Sequence, residues 1–205
     1  MPNPPNPARR SQSSRRAILT AAAELCAELG YGQVTIEAIA ARAGASKKTI
    51  YRWWPSKGAV ILELIDETAA VTAAHPDTGD LVTDLRTQLT AVIDLLTPSR
   101  TSPVAGLIAE ALTDPDLARD LRDRLIKPRI AKFRERMRAA QDAGQLSPEA
   151  DLDVALDLLY GPLYHRFIYH LPMPDPDYLG ILIAHALRAL NPPANAGQTV
   201  ANASR

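Results

Sequence analysis

The sequence predicts an all-α fold. Apolar residues recur at three- and four-residue spacing rather than alternating. Residues that cap or stop helices fall between these stretches. No strand-like alternation and no internal repeat interrupts the pattern. With 205 residues, 46% of them hydrophobic, the chain can bury one compact body and a small second module.

The elements follow in order. Ile18, Ala22, Leu25, Cys26 and Leu29 line one side of a helix over 13–29, and Gly30 suits a left-handed stop. Thr35 can cap a short helix over 36–43 that carries Ile36, Ile39 and Ala40 inward, and Gly44 ends it. Ser46 can cap the next helix, 47–53. Pro55 disfavours helical geometry at Trp54, so that helix stops there. Ser56 opens a longer one, 57–74. Further helices are expected over 79–97, 103–113, 115–142, 148–171 and 176–190. Their breaks are His75-Pro76, Thr97-Pro98, Gly144, Ser147-Pro148 and Leu171-Pro172. Residues 1–10 and the tail from Asn191 are rich in Pro, Asn and small residues and are expected to be disordered.

The formal net charge of zero hides an asymmetry. Residues 1–60 hold nine Lys/Arg against three Asp/Glu, and the remainder fourteen against twenty. A basic end on an acidic body suits contact of that end alone with a polyanion, or a solvated tail. Cys26 is the only cysteine, which excludes an intrachain disulfide and a Cys-based metal cluster; core packing is its expected role. No apolar run is long enough to cross a bilayer and the N-terminus lacks a secretion signal, so a cytoplasmic location is expected.

The stretch "GASKKTIYRWWPSKG", residues 44–58, mixes cations with aromatic rings. Two short helices joined by "AGAS" have the build of a helix-turn-helix. Gly44 permits the positive φ of the turn, small Ala40 permits close crossing, and Ile50 faces back to the first helix. Ser46, Lys47, Lys48 and Thr49 form the cap and first turn of the second helix, the part of a recognition helix that meets base edges. The periodicity sorts Lys47, Lys48, Thr49 and Tyr51 outward and Ile50 and Trp54 inward, with Trp53 between the faces. Lys57, in the first turn of the next helix, is either a phosphate ligand or a solvated lysine.

Residues 15–65, with "AAAELCAELGY", "VTIEAIAARAGAS" and "TIYRWWPSKGAV", resemble the DNA-binding domain of the TetR family of bacterial transcriptional regulators. Trp54 stands where the family more often has Phe, and Trp53 where His or Tyr is common. The resemblance implies a helix-turn-helix DNA-binding domain over 13–56 and an effector-binding and dimerisation domain over 57–190, between a basic arm (1–12) and a tail (191–205). It implies a homodimer on a palindromic double-stranded DNA operator. Thr35 would touch phosphate; Lys47, Lys48 and Thr49, with Ser46, would approach bases; Tyr51, Trp53 and Lys57 would hold phosphates. Arg9, Arg10, Arg15 and Arg16 of the arm would add phosphate or minor-groove contacts, or serve only as a solubilising tail.

The body carries two helices that must hide more than one face. Leu156, Leu159, Leu163 and Phe167 form a stripe on one, and Leu179, Ile183, Ala186 and Leu190 on the other. By the resemblance these become a four-helix dimer interface. Gly161-Pro162 is expected to kink the first of them. Near that kink lie Tyr160, Tyr164 and His165, which with Leu107, Ile108, Leu112, Phe133 and Met137 are candidate walls for a largely hydrophobic small-molecule effector. The stretch "KPRIAKFRERMR", 127–138, with six basic residues and one acidic, reads as the charged outer face of a helix. The histidines show no metal-ligand spacing, and no phosphate loop, nucleophile elbow or HExxH run appears. No metal, cofactor, catalytic residue or membrane partner is expected. By the resemblance, the expectation is a ligand-released repressor, with an activator or ligand-independent regulator of the same fold as the alternative. A helical enzyme using Tyr164, His165 and Arg166 is the remote one.

Overall fold

The computed structural model describes residues 7–72, 76–97 and 103–191. The expected disorder of 1–6 and of the tail after Asn191, and the breaks at His75 and Pro98, lie outside these residues. Among the described residues the regular structure is all helical: α1 Pro7–Leu29, a 3-10 turn Tyr31–Gln33, α2 Ile36–Ala43, α3 Lys47–Tyr51, α4 Lys57–Thr72, α5 Leu81–Leu96, α6 Pro103–Ala111, α7 Pro115–Asp120, α8 Lys127–Asp142, α9 Leu152–Ile168 and α10 Pro176–Leu190. A π-helical segment, Leu121–Ile126, joins α7 to α8.

Three departures from the expected boundaries have local causes. α1 begins at Pro7 rather than Ser13, so residues 7–12 of the expected arm are helical; proline suits a first helical position. Gly30 has φ 78° but ψ 154°, and it turns the chain into the 3-10 segment instead of closing α1 with a left-handed cap. The helix expected over 115–142 widens at 121–126, where the Lys127 N–H donates to the Arg122 carbonyl, five residues back. Pro128 follows directly; it has no N–H to give the Arg124 carbonyl and its ring would crowd that oxygen, which favours the wider turn. α9 runs through Pro162.

By packing, the chain divides into two units. The first holds residues 1–72 and 98–127, and its core is Ile18, Ala22, Leu25, Cys26, Ile39, Ile50, Trp54, Val60, Ile61 and Leu62. Leu29, expected on the inward stripe of α1, is instead 51% exposed because the helix ends there. The second unit holds residues 73–97 and 128–205, where Leu85, Leu89, Phe133, Met137, Leu159, Leu163, Leu179 and Ile183 are buried. It also buries an ion pair. Arg136 Nε donates to Asp84 Oδ2 at 2.7 Å, and the Thr78 N–H and hydroxyl donate to the same carboxylate. Arg136, counted from sequence among the outward cations of 127–138, is therefore a core residue.

Candidate nucleic-acid interface

The turn between α2 and α3 is built by local chemistry. Thr35 Oγ1 accepts the Ala38 N–H at 3.1 Å and Ser46 Oγ accepts the Thr49 N–H at 3.1 Å, so each short helix has its side-chain cap. Gly44 between them is left-handed, φ 62°, and its N–H reaches back to the Ala40 and Ala41 carbonyls. Ile50 and Trp54 are buried behind α3, and Trp54 Nε1 donates to Glu63 of α4 at 2.8 Å. These anchors leave one face of α3 in solvent. Lys47 and Lys48 are exposed, Thr49 is half-buried with its hydroxyl 2.9 Å from that of Ser46, and Tyr51 is 52% exposed. Ser46, Lys48, Thr49, Tyr51 and Arg52 line a shallow cleft of about 410 Å³. Trp53 is half-buried, edge-on to Trp54 with ring centres 5.4 Å apart, and the Arg52 guanidinium lies 5.2 Å from its ring centre.

The cations around this face are not equally available. Lys47 Nζ donates to Glu37 Oε1 at 2.9 Å, which raises the lysine pKa and lowers that of the carboxyl. Arg42 forms two hydrogen bonds of 2.8 Å with Glu28 of α1. Arg15, counted in the expected arm, pairs with Glu63 and Glu67 of α4 and so belongs to the packed unit. Arg16 lines a second cleft, about 560 Å³, with Thr20, Glu24 and Arg42. Lys57 departs most from expectation. Its ammonium turns back to the Tyr31 carbonyl at 3.3 Å, lies 4.2 Å from the Tyr31 ring centre and is 3.7 Å from Glu110. In this conformation it is held by the protein, not offered to a phosphate. The Tyr31 hydroxyl donates to Glu110 at 2.7 Å, and burial, then this bond, raises its pKa.

The eight expected ligand residues fall in both units, Leu107, Ile108 and Leu112 in the first and Phe133, Met137, Tyr160, Tyr164 and His165 in the second. Leu112 is 84% exposed and His165 is exposed, so neither forms a pocket wall in the single chain. Leu107, Phe133 and Met137 are buried as core. The Tyr160 ring meets Phe133 edge-on at 5.6 Å, and its hydroxyl accepts from Gln88. Most of the expected dimer stripe is covered within one chain. Leu159, Leu163, Leu179, Ile183, Ala186 and Leu190 are 0–5% exposed within one chain, and Leu156 and Phe167 are half-buried. On α9 and α10 the large apolar residues left in solvent are Val154, Leu158 and Ile168, and Tyr178 and Ile181.

The sequence reading missed Glu37, Tyr31, Glu110 and Gln88. Glu37 alone had a local signal, as the one acid in the first turn of α2. Among the described residues no group of three or more His, Cys, Asp or Glu is placed to hold a metal, and no helix is long and apolar enough to cross a membrane.

Comparison with known proteins agrees with this architecture. Residues 18–64 match the model described as bacterial regulatory proteins, tetR family, and residues 75–186 match the tetracyclin repressor-like C-terminal domain. An uncharacterized HTH-type transcriptional regulator, YdeS of Bacillus subtilis, is 33% identical over 181 residues, covering 88% of this chain and 91% of the relative. The DNA-binding transcriptional repressor TetR of Mycobacteroides abscessus is 28% identical over 189 residues, 88% of this chain and 95% of the relative. The crystal structure of the TetR family transcription regulator SCO0332 superposes with a TM-score of 0.73 at 37% identity, covering 87% of this chain and 99% of that one.

Proposed function

The chain belongs to the TetR family of bacterial regulatory proteins, and from that membership we infer a homodimeric repressor that leaves a palindromic operator when a small, largely hydrophobic molecule binds. That it is a DNA-binding transcriptional regulator follows from the family. Repression is supported by the Mycobacteroides abscessus relative, a repressor by name. The observation that carries the interface is the two-sided α3: Ile50 and Trp54 fix it from behind while Lys47, Lys48, Thr49 and Tyr51 stay in solvent. Lys47, Lys48, Thr49 and Ser46 meet base edges, and Thr35, Tyr51 and Trp53 meet phosphates. The DNA-binding segment is 13–56, and 57–190 binds effector and partner.

The dimer forms through the exposed apolar residues of α9 and α10, two helices from each copy. Its recognition helices enter successive major grooves about 34–36 Å apart. An effector that prefers another spacing lowers operator affinity by its differential binding to the two arrangements. In this reading the chain binds and releases without catalysing a reaction, and it acts in the cytoplasm.

The test is selection of bound duplexes from a random-sequence pool by the full chain, followed by affinity against salt. Enrichment of a palindromic motif whose affinity falls steeply with salt is expected. A chain that enriches no motif is not the regulator described.

A further inference from the structure

Glu37 is a carboxylate on a surface otherwise arranged for a polyanion. It stands in the first turn of α2, two residues after Thr35, and it holds Lys47, the first residue of α3, at 2.9 Å. Both side chains are exposed, Lys47 at 55% and Glu37 at 64%. An exposed pair of this kind adds little to folding. If Lys47 reaches a base edge, Glu37 reaches the same place, because the two heads are in contact.

A carboxylate there is repelled by phosphates unless an N–H faces it. In the major groove cytosine N4 and adenine N6 supply such donors, while Lys47 needs acceptors, and guanine presents two, O6 and N7. Guanine O6 and cytosine N4 of one base pair are hydrogen-bonded to each other and so lie about 2.9 Å apart. That matches the 2.9 Å between Lys47 Nζ and Glu37 Oε1. Laid edge to edge, donor meets acceptor at both ends: ammonium on O6, carboxylate on the free hydrogen of N4. An A·T pair offers the same order of groups, but thymine gives the ammonium one acceptor beside a methyl group.

We propose that Glu37 and Lys47 act as one unit that reads a single G·C pair in each half-site, with Lys47 on the guanine and Glu37 on the cytosine. This rests on the regulator reading above and adds to it a specificity-determining residue, Glu37.

Full-length wild type, Glu37→Ala, Glu37→Gln and Lys47→Ala are each used to select duplexes from the random pool. The wild type is expected to demand G·C at one position per half-site. Both Glu37 variants and Lys47→Ala should weaken that preference at the same position, by about tenfold or more, and leave the other positions as they were. Both residues are exposed, so an unchanged unfolding transition shows that the variants remain folded. A motif that keeps all its preferences in the Glu37 variants overturns the inference. So does a motif in which Glu37 and Lys47 govern different positions, or one in which the shared position is A·T. A wild type that enriches nothing overturns the regulator reading itself, a result distinct from these.

Discussion

The Lys57 ammonium lies 4.2 Å from the centre of the Tyr31 ring and 3.3 Å from the Tyr31 carbonyl oxygen. The first turn of α4 is thereby tied to the 3-10 turn after α1. The same tyrosine ties α6: its hydroxyl donates to Glu110, and a Cβ added at Gly106 would fall 2.3 Å from its ring. Tyr31→Phe removes the donor from a partly buried carboxylate and is expected to cost about 1–3 kcal/mol. Gly106→Ala forces the ring out of its seat and is expected to cost a similar amount, about 1–3 kcal/mol. Gly32→Ala, with nothing within 4 Å of the added carbon, serves as the mild control. Urea unfolding of the three variants measures each cost.

The same contact changes what Lys57 should contribute to DNA binding. An ammonium already beside Glu110 and a carbonyl has less unmet charge to place on a phosphate. Lys48 is exposed on α3, and among the described residues it has no ion pair of that kind. Lys48→Ala removes a cation from the DNA-facing side of α3 and is therefore expected to weaken binding and to reduce the slope of log affinity against log salt by up to about one unit. Lys57→Ala is expected to reduce that slope less and to lower unfolding stability more. Salt titrations with one duplex, run on both variants, separate the two; equal slope losses would mean that Lys57 swings out when DNA arrives.

Asp84 makes folding acid-sensitive. Its burial opposes ionisation, but the hydrogen bonds from Thr78 and the Arg136 guanidinium outweigh burial and hold the pKa below the ordinary value. A carboxyl depressed in the folded state contributes stability that is present above its unfolded pKa of about 3.9 and is lost as pH falls through the folded value. Unfolding stability is therefore expected to drop below about pH 4. Asp84→Ala leaves the buried Arg136 only the exposed Asp77 carboxylate, 3.4 Å away, costs about 3–5 kcal/mol at pH 7, and flattens the acid limb. Denaturant midpoints across the acid range, for both proteins, check the sign and the size.

What could be read in the sequence was whatever local spacing decides. Thr35 and Ser46 sit within three residues of the N–H groups they cap, and Ile50 and Trp54 share a face by helical period, so caps, turn and inward side of α3 were all legible. Lys57 was not, because its fate depends on Tyr31, 26 residues away, and on Glu110, itself 79 residues from Tyr31. Arg136 looked like its cationic neighbours until Asp84, 52 residues away, turned it inward. The body was less legible for a different reason. α9 and α10 are apolar on more than one face, and periodicity names the stripes without saying which one the chain covers by itself.

That ambiguity yields the sharpest test of assembly. Leu159 is 0% exposed while Leu158, one residue earlier, is 38% exposed, and Ile181 on α10 is 56% exposed. A core position and a surface position fail differently. Leu159→Ala opens a cavity and is expected to cost about 2–5 kcal/mol of folding. Leu158→Glu and Ile181→Glu leave the single chain intact, since the new carboxylate stays in water, but they bury a charge wherever two apolar faces meet. Against the dimer proposed above, each is expected to give a folded, helical monomer, and to lose affinity for a two-half-site duplex while keeping weak binding to one half-site. Solution mass by light scattering, together with helicity, reads the outcome. If Ile181→Glu remains dimeric and fully helical, the copies meet elsewhere, and the solvent-facing side of α9 and α10 is not the joint.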